Sequence, residues 1–111
     1  MNLSNESTME ILKMVLLKET TGKSTDHPYE VGKNYHIRTV TMAHAGKLKA
    51  VYDKELVLEG ASWVADTGRF NEYLKDTSKV SENEPFKNDV IVGRGAIVDC
   101  TEIDNVYTKV K

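Results

Sequence analysis

The ten residues from Ala61 to Phe70 read Ala-Ser-Trp-Val-Ala-Asp-Thr-Gly-Arg-Phe. An apolar run that ends in Asp-Thr-Gly can deliver a carboxylate for acid–base hydrolysis of peptide bonds. That chemistry needs two such carboxylates to share one proton at a tight two-fold contact. Arg69 and Phe70 stand where small residues would permit the close approach. A permanent cation beside the pair would also depress the raised pKa that the acid–base step uses. The span from Gly68 to Gly93 is taken up by a helix and a polar loop, leaving no room for a hairpin flap over a substrate. The sequence therefore argues against a small dimeric protease, and no catalytic residue is assigned.

Other groupings are weaker. Gly22-Lys23-Ser24 ends like a phosphate-binding loop, but Leu17 occupies the position of the required first glycine. The helix expected there also precedes the motif, so its N-terminal amides cannot cradle phosphate. His27, His36 and His44 have no second ligand at metal spacing, so no metal or other cofactor is expected. His44, beside Ala45-Gly46, remains able to reach a ligand at a sheet rim. The single cysteine, Cys100, has no intramolecular disulfide partner and reads as a small buried side chain in a reducing compartment.

These residues need elements to hold them. At 111 residues the chain suits one domain, and 15 basic against 17 acidic residues give a net charge of −2, which does not indicate whole-molecule attraction to nucleic acid or membrane. The longest apolar run is Met14 to Leu17, far below the ~20 residues of a membrane helix. Glu6 and Glu10 argue against a secretion signal. Residues 1–19 read as a helix with a Ser7/Glu10 capping box, Gly22 beyond its end, and an apolar stripe of Met9, Leu12, Val15 and Leu16. Residues 20–34 read as a linker loop.

From Tyr35 the period is two, with Tyr35, Ile37, Thr39 and Thr41 on one face and His36, Arg38, Val40 and Met42 on the other. Gly46, Asp53-Lys54 and Gly60 mark turns of a meander. "RFNEYLKD" forms a short inserted helix, and "TSKVSENEPFKN" a polar loop. "DVIVG" and "AIVDCTEI" supply two further strands around Gly93-Arg94-Gly95. Residues 35–104 thus form a β-rich core, and the tail 105–111 is open between edge strand and no structure. The expected class is α+β and mostly β: an N-terminal helix plus a small, strongly bent antiparallel sheet or SH3/Sm-like barrel with one short inserted helix.

The stretch "HIRTVTMAHAGKLKAVYDKELVLEGASWVADTGRF", followed by "EPF" and "VIVGRGAIVDC", resembles a family of small proteins of unknown function encoded by bacteriophages and prophages. The match runs from about Tyr35 to Cys100. Its most specific parts are the Arg-Thr-Val-Thr strand, the Trp-Val-Ala-Asp-Thr-Gly-Arg-Phe block and the Gly-Arg-Gly turn. The resemblance implies an accessory protein of the bacterial host cytoplasm. It implies an immune-evasion function: an oligomeric sponge that sequesters cyclic nucleotide signals of antiphage defence, such as 3'3'-cGAMP, without cleaving them.

The side chains suit that function. Trp63, Phe70 and Tyr52 can stack on purines, and Arg69 and Arg94 can pair with phosphate or guanine edges. Thr67, Gly68 and Gly95 can donate to phosphate, and Asp66 can accept from a base amine. Trp63 is equally suited to anchor a core. A turn at Asp66-Thr67-Gly68 leading into a helix at Arg69 is expected to attract anions. A chain this short gains enclosing walls by symmetry, so a homo-oligomer, dimer or tetramer, is expected. Two alternatives stay open. Gly46-x-Leu48-x-x-x-x-Asp53 with Leu56-x-Leu58 resembles the Sm-like barrels that form RNA-binding rings, and a direct protein inhibitor of a host enzyme is compatible with every residue.

Overall fold

The computed structural model describes residues 26–111. The expected N-terminal helix, its capping box and apolar stripe, the Gly22-Lys23-Ser24 motif and the first part of the 20–34 linker lie outside the described residues. Six strands form one antiparallel sheet: β1 (Asn34–Thr39), β2 (Ala43–Val51), β3 (Glu55–Asp66), β4 (Glu82–Pro85), β5 (Val90–Gly93) and β6 (Ile97–Ile103). One helix, α1 (Phe70–Lys75), and two 3₁₀ turns, Thr77–Lys79 and Arg94–Ala96, complete the regular structure. The mostly-β class and the short inserted helix are as expected.

The strand order is β4-β3-β2-β1-β6, and β5 also pairs with β3. The long β3 makes this possible. Its first half, Glu55 to Leu58, pairs with β5, and its second half, Ser62 to Asp66, pairs with β4, while β2 runs along the other edge. Everything between Asp66 and Val90 is thus an excursion that leaves the edge of β3 and returns to it.

Both faces of the sheet are apolar. On one face Tyr35, Ile37, Leu48, Leu56, Leu58, Ala61 and Val92 form a cluster, with Cys100 half-buried at its margin. On the other, Ala45, Val64 and Ile103 pack under Tyr73 of α1 and Val80, with Val106 and Tyr107 from the tail. This two-sided cover explains why Tyr35, His36 and Ile37 are consecutively buried in β1. Strict alternation describes a strand with one dry face, and β1 has two.

Two glycines read as turns lie inside strands. Gly46 sits mid-β2, where an added Cβ would come within 2.8 Å of the Ala61 Cβ, so it permits the close crossing of β2 over β3. Gly60 interrupts β3 with φ of +56°, where the β2–β3 register slips. A left-handed residue of this kind bulges and bends a strand. The Asp53-Lys54 turn is found where expected. The segment read as a polar loop carries the Thr77–Lys79 turn and β4. The tail is not structureless: Lys111 and Asn83 exchange two main-chain hydrogen bonds of 2.9 and 3.1 Å. Asn83 Nδ2 donates to the carbonyls of Tyr107 and Lys109, and Ser62 Oγ to that of Tyr107.

Candidate ligand-binding groove

In an antiparallel ladder, directly opposed residues point to the same face. Ile37 opposes His44, His44 opposes Trp63, and Trp63 opposes Glu84. These four therefore line one face, at the end of the sheet where the first apolar cluster runs out. Trp63 is 38% exposed there, which is neither a closed core anchor nor a free surface residue.

A groove of about 280 Å³ opens at this place, lined by Met42, Trp63, Glu84, Pro85 and Phe86. A second concavity, of about 340 Å³, shares Met42 and Trp63 and continues past Arg38–Ala43 to Ala65. The walls are held by local bonds. The Met42 carbonyl accepts from the Thr39 N–H at 2.7 Å and from its hydroxyl at 3.0 Å, which closes the β1–β2 turn. The Phe86 N–H donates to the Ala61 carbonyl at 2.8 Å, and its ring stacks on His44 with centroids 5.7 Å apart. His44 is buried with Nδ1 unpartnered, and burial lowers its pKa, so it stands behind Phe86 as a neutral ring. The Glu84 carboxylate makes no hydrogen bond or ion pair among the described residues.

His36 is adjacent to Ile37 in β1 and therefore points to the opposite face. There its Nδ1 lies 3.0 Å from the Tyr73 hydroxyl, and its ring lies against those of Phe70 and Tyr73. Phe70 is thus on the helix side of the sheet, beneath the Arg38 guanidinium, which forms a bidentate ion pair with Asp99. Trp63 and Phe70, seven positions apart, do not face one another and cannot sandwich a single base.

The Asp-Thr-Gly turn uses its own polar groups. Asp66 Oδ1 accepts from the Gly68 N–H at 2.8 Å, and the Thr67 hydroxyl donates to the Gly68 carbonyl at 2.9 Å. Arg69 is the N-cap of α1 without a side-chain cap, and α1 is only six residues long. The amide and hydroxyl expected to receive an anion are occupied within the turn.

Arg94, Gly95 and Tyr52 form a third group at the far end of β2, ten residues or roughly 33 Å of strand from Met42. Arg94 donates to the carbonyls of Tyr52 and Asp53 at 2.8 and 3.1 Å, and its guanidinium lies 5.3 Å from the Tyr29 ring centroid. Arg94 therefore clamps the β2–β3 turn, while Gly95 lies in the following 3₁₀ turn and the Tyr52 ring is exposed. Of the expected site residues, only Trp63 and His44 come together at the groove. Met42, Glu84, Pro85 and Phe86 were not read as site residues. The available signal was an apolar Pro-Phe pair placed in an otherwise polar segment.

Among the described residues no three His, Cys, Asp or Glu side chains group as a metal site. Cys100 lines a separate concavity with Tyr29, Tyr35 and Arg94, and burial pushes its thiol up to about 11, so it is protonated at neutral pH. No helix among the described residues is long and apolar enough to cross a membrane. Comparison with protein-family models, with curated proteins and with solved structures returns no match.

Proposed function

We propose that the protein is a phage immune-evasion protein of the host cytoplasm that binds cyclic oligonucleotide second messengers, such as 3'3'-cGAMP, and holds them uncleaved. The observation that carries this reading is the half-open indole of Trp63 over an apolar groove. A purine needs a flat apolar wall, and Trp63 with Met42 and Phe86 supplies one. Base–aromatic stacking contributes about 1–3 kcal/mol per base. Small-ligand sites usually span about 300–1,000 Å³, and the groove sits at the lower bound, enough for one base and not for a whole cyclic dinucleotide. A homo-oligomer, dimer or tetramer, that brings two grooves together accommodates both bases.

The test incubates the purified protein with 3'3'-cGAMP, cyclic di-GMP and cyclic di-AMP and measures binding by calorimetry. The bound ligand is then recovered by heat denaturation and chromatographed. Intact ligand supports the reading, whereas cleavage products or absence of binding throughout the panel overturn it.

A second reading rests on the connectivity. The order β6-β1-β2-β3-β5, with a 3₁₀ turn joining β5 to β6, supports reading the bent sheet as an SH3- or Sm-like barrel with the 66–90 excursion inserted. Tight binding of single-stranded RNA, with none of a cyclic nucleotide, would favour an Sm-like RNA ring. The net charge of −2 weighs against it.

A further inference from the structure

We infer that the groove selects guanine over adenine, and that Glu84 is the residue that reads the base. The inference rests on the cyclic-nucleotide reading above and specifies the base. Glu84 is the direct cross-strand partner of Trp63, so the carboxylate and the indole rise from the same face. Opposed Cβ atoms in such a pair are about 4.5–5.5 Å apart. A base stacked on the indole therefore directs one of its edges at the carboxylate.

An ionised carboxylate only accepts hydrogen bonds, and it accepts best from two parallel donors. The guanine Watson–Crick edge offers two adjacent donors, N1–H and the N2 amine. Adenine offers one amine beside a bare N1, whose lone pair would face the carboxylate oxygens. Cytosine also sets a donor beside an acceptor, and uracil has one imide N–H between two carbonyls. Guanine alone among the four matches both oxygens. The Glu84 side chain is exposed, and its carboxylate makes no ion pair or hydrogen bond among the described residues, which leaves both oxygens for a base edge. The other groove walls, Met42, Pro85 and Phe86, supply apolar surface and no competing side-chain donor.

Calorimetry compares cyclic di-GMP with cyclic di-AMP on the parent protein and on Glu84→Gln. The expected result is that the parent binds the guanine ligand roughly ten- to a hundredfold more tightly. Glu84→Gln lowers that ratio to near unity by weakening cyclic di-GMP, while cyclic di-AMP binds no more weakly than before. An unchanged melting temperature shows that the variant is folded, as expected for an exposed strand position. Equal affinity of the parent for the two ligands, or a ratio unmoved by Glu84→Gln, overturns the inference and leaves the cyclic-nucleotide reading standing. Binding of neither ligand nor of 3'3'-cGAMP overturns both.

Discussion

His36 shows how a single side chain sets a pH response. It is 1% exposed, its Nε2 has no partner, and burial, with Arg38 nearby, lowers its pKa to about 4. The unfolded chain titrates near the ordinary value of about 6.5. A depressed imidazole leaves stability intact above pH 6.5 and removes it as pH falls toward 4. About 2–3 kcal/mol is expected to be lost across that window, a figure from the linkage relation. His44 is lowered in the same direction and adds to the loss. Asp76 and Asp99, held below the usual carboxylate range by Ser78 and Arg38, act only at lower pH. Urea unfolding at several pH values checks this, and His36→Leu should flatten the profile between pH 6.5 and 4; a profile as steep as the parent's would refute the assignment. A second prediction separates Trp63 from the core. Leu56 is fully buried, so Leu56→Ala should cost about 2–5 kcal/mol. Trp63→Ala should cost markedly less while weakening ligand binding by roughly five- to a hundredfold per stacked base, which paired melting curves and calorimetry can show. The sequence identified Trp63 as a candidate but left it divided between core and platform. Its exposure depends on where β4 and Phe86 stop covering it, and no local pattern encodes that.

At the scale of elements, most strands and α1 were legible, because alternation around Leu48, Leu56 and Leu58 and the polar face of "NEYLK" are local signals. Gly46 and Gly60 misled for one shared reason. Glycine marks turns by its conformational range, but within a strand it also marks a close backbone approach or a bulge. Gly46→Ala should cost roughly 1–3 kcal/mol through overpacking against Ala61 and Leu58. Pairing it with Ala61→Gly should recover part of that loss, because the two Cβ positions compete for one space. Additive losses in a double-mutant unfolding cycle would show that the 2.8 Å approach does not set the cost. β4 was hidden in a polar loop because Glu82, Glu84 and Pro85 lack strand propensity. It forms because β3 outlasts β5 and leaves an open edge.

For the whole molecule, closure depends on contacts between segments distant in sequence. Asn83 is buried and holds the tail through Lys111, Tyr107 and Lys109, while Thr77 donates to Asn105 at 2.6 Å. These contacts were not legible, because Val106 and Tyr107 look like any short apolar pair in sequence, and the side-chain amides and hydroxyls that fix the tail come from residues 24 to 45 positions away. Asn83→Ala should cost about 1–3 kcal/mol, since it removes two hydrogen bonds that a buried amide makes to part-buried main-chain carbonyls. Deleting residues 105–111 should cost at least as much, and a stability equal to the parent's in either case would show that the tail is dispensable. The proposed oligomer belongs to this scale too: light scattering at micromolar concentration is expected to give a dimer or tetramer, and a monomer would contradict it.

Trp63 is the only tryptophan in the chain, and it stands in the groove. Excited at the red edge of the absorption band, where the five tyrosines contribute little, the protein emits from that one place. Its emission maximum should lie between those of a buried and a fully hydrated indole, and iodide should quench it partially. A base stacked on the ring would shield it from iodide and quench it directly. The molecule thus carries its own optical probe of groove occupancy, with no label added.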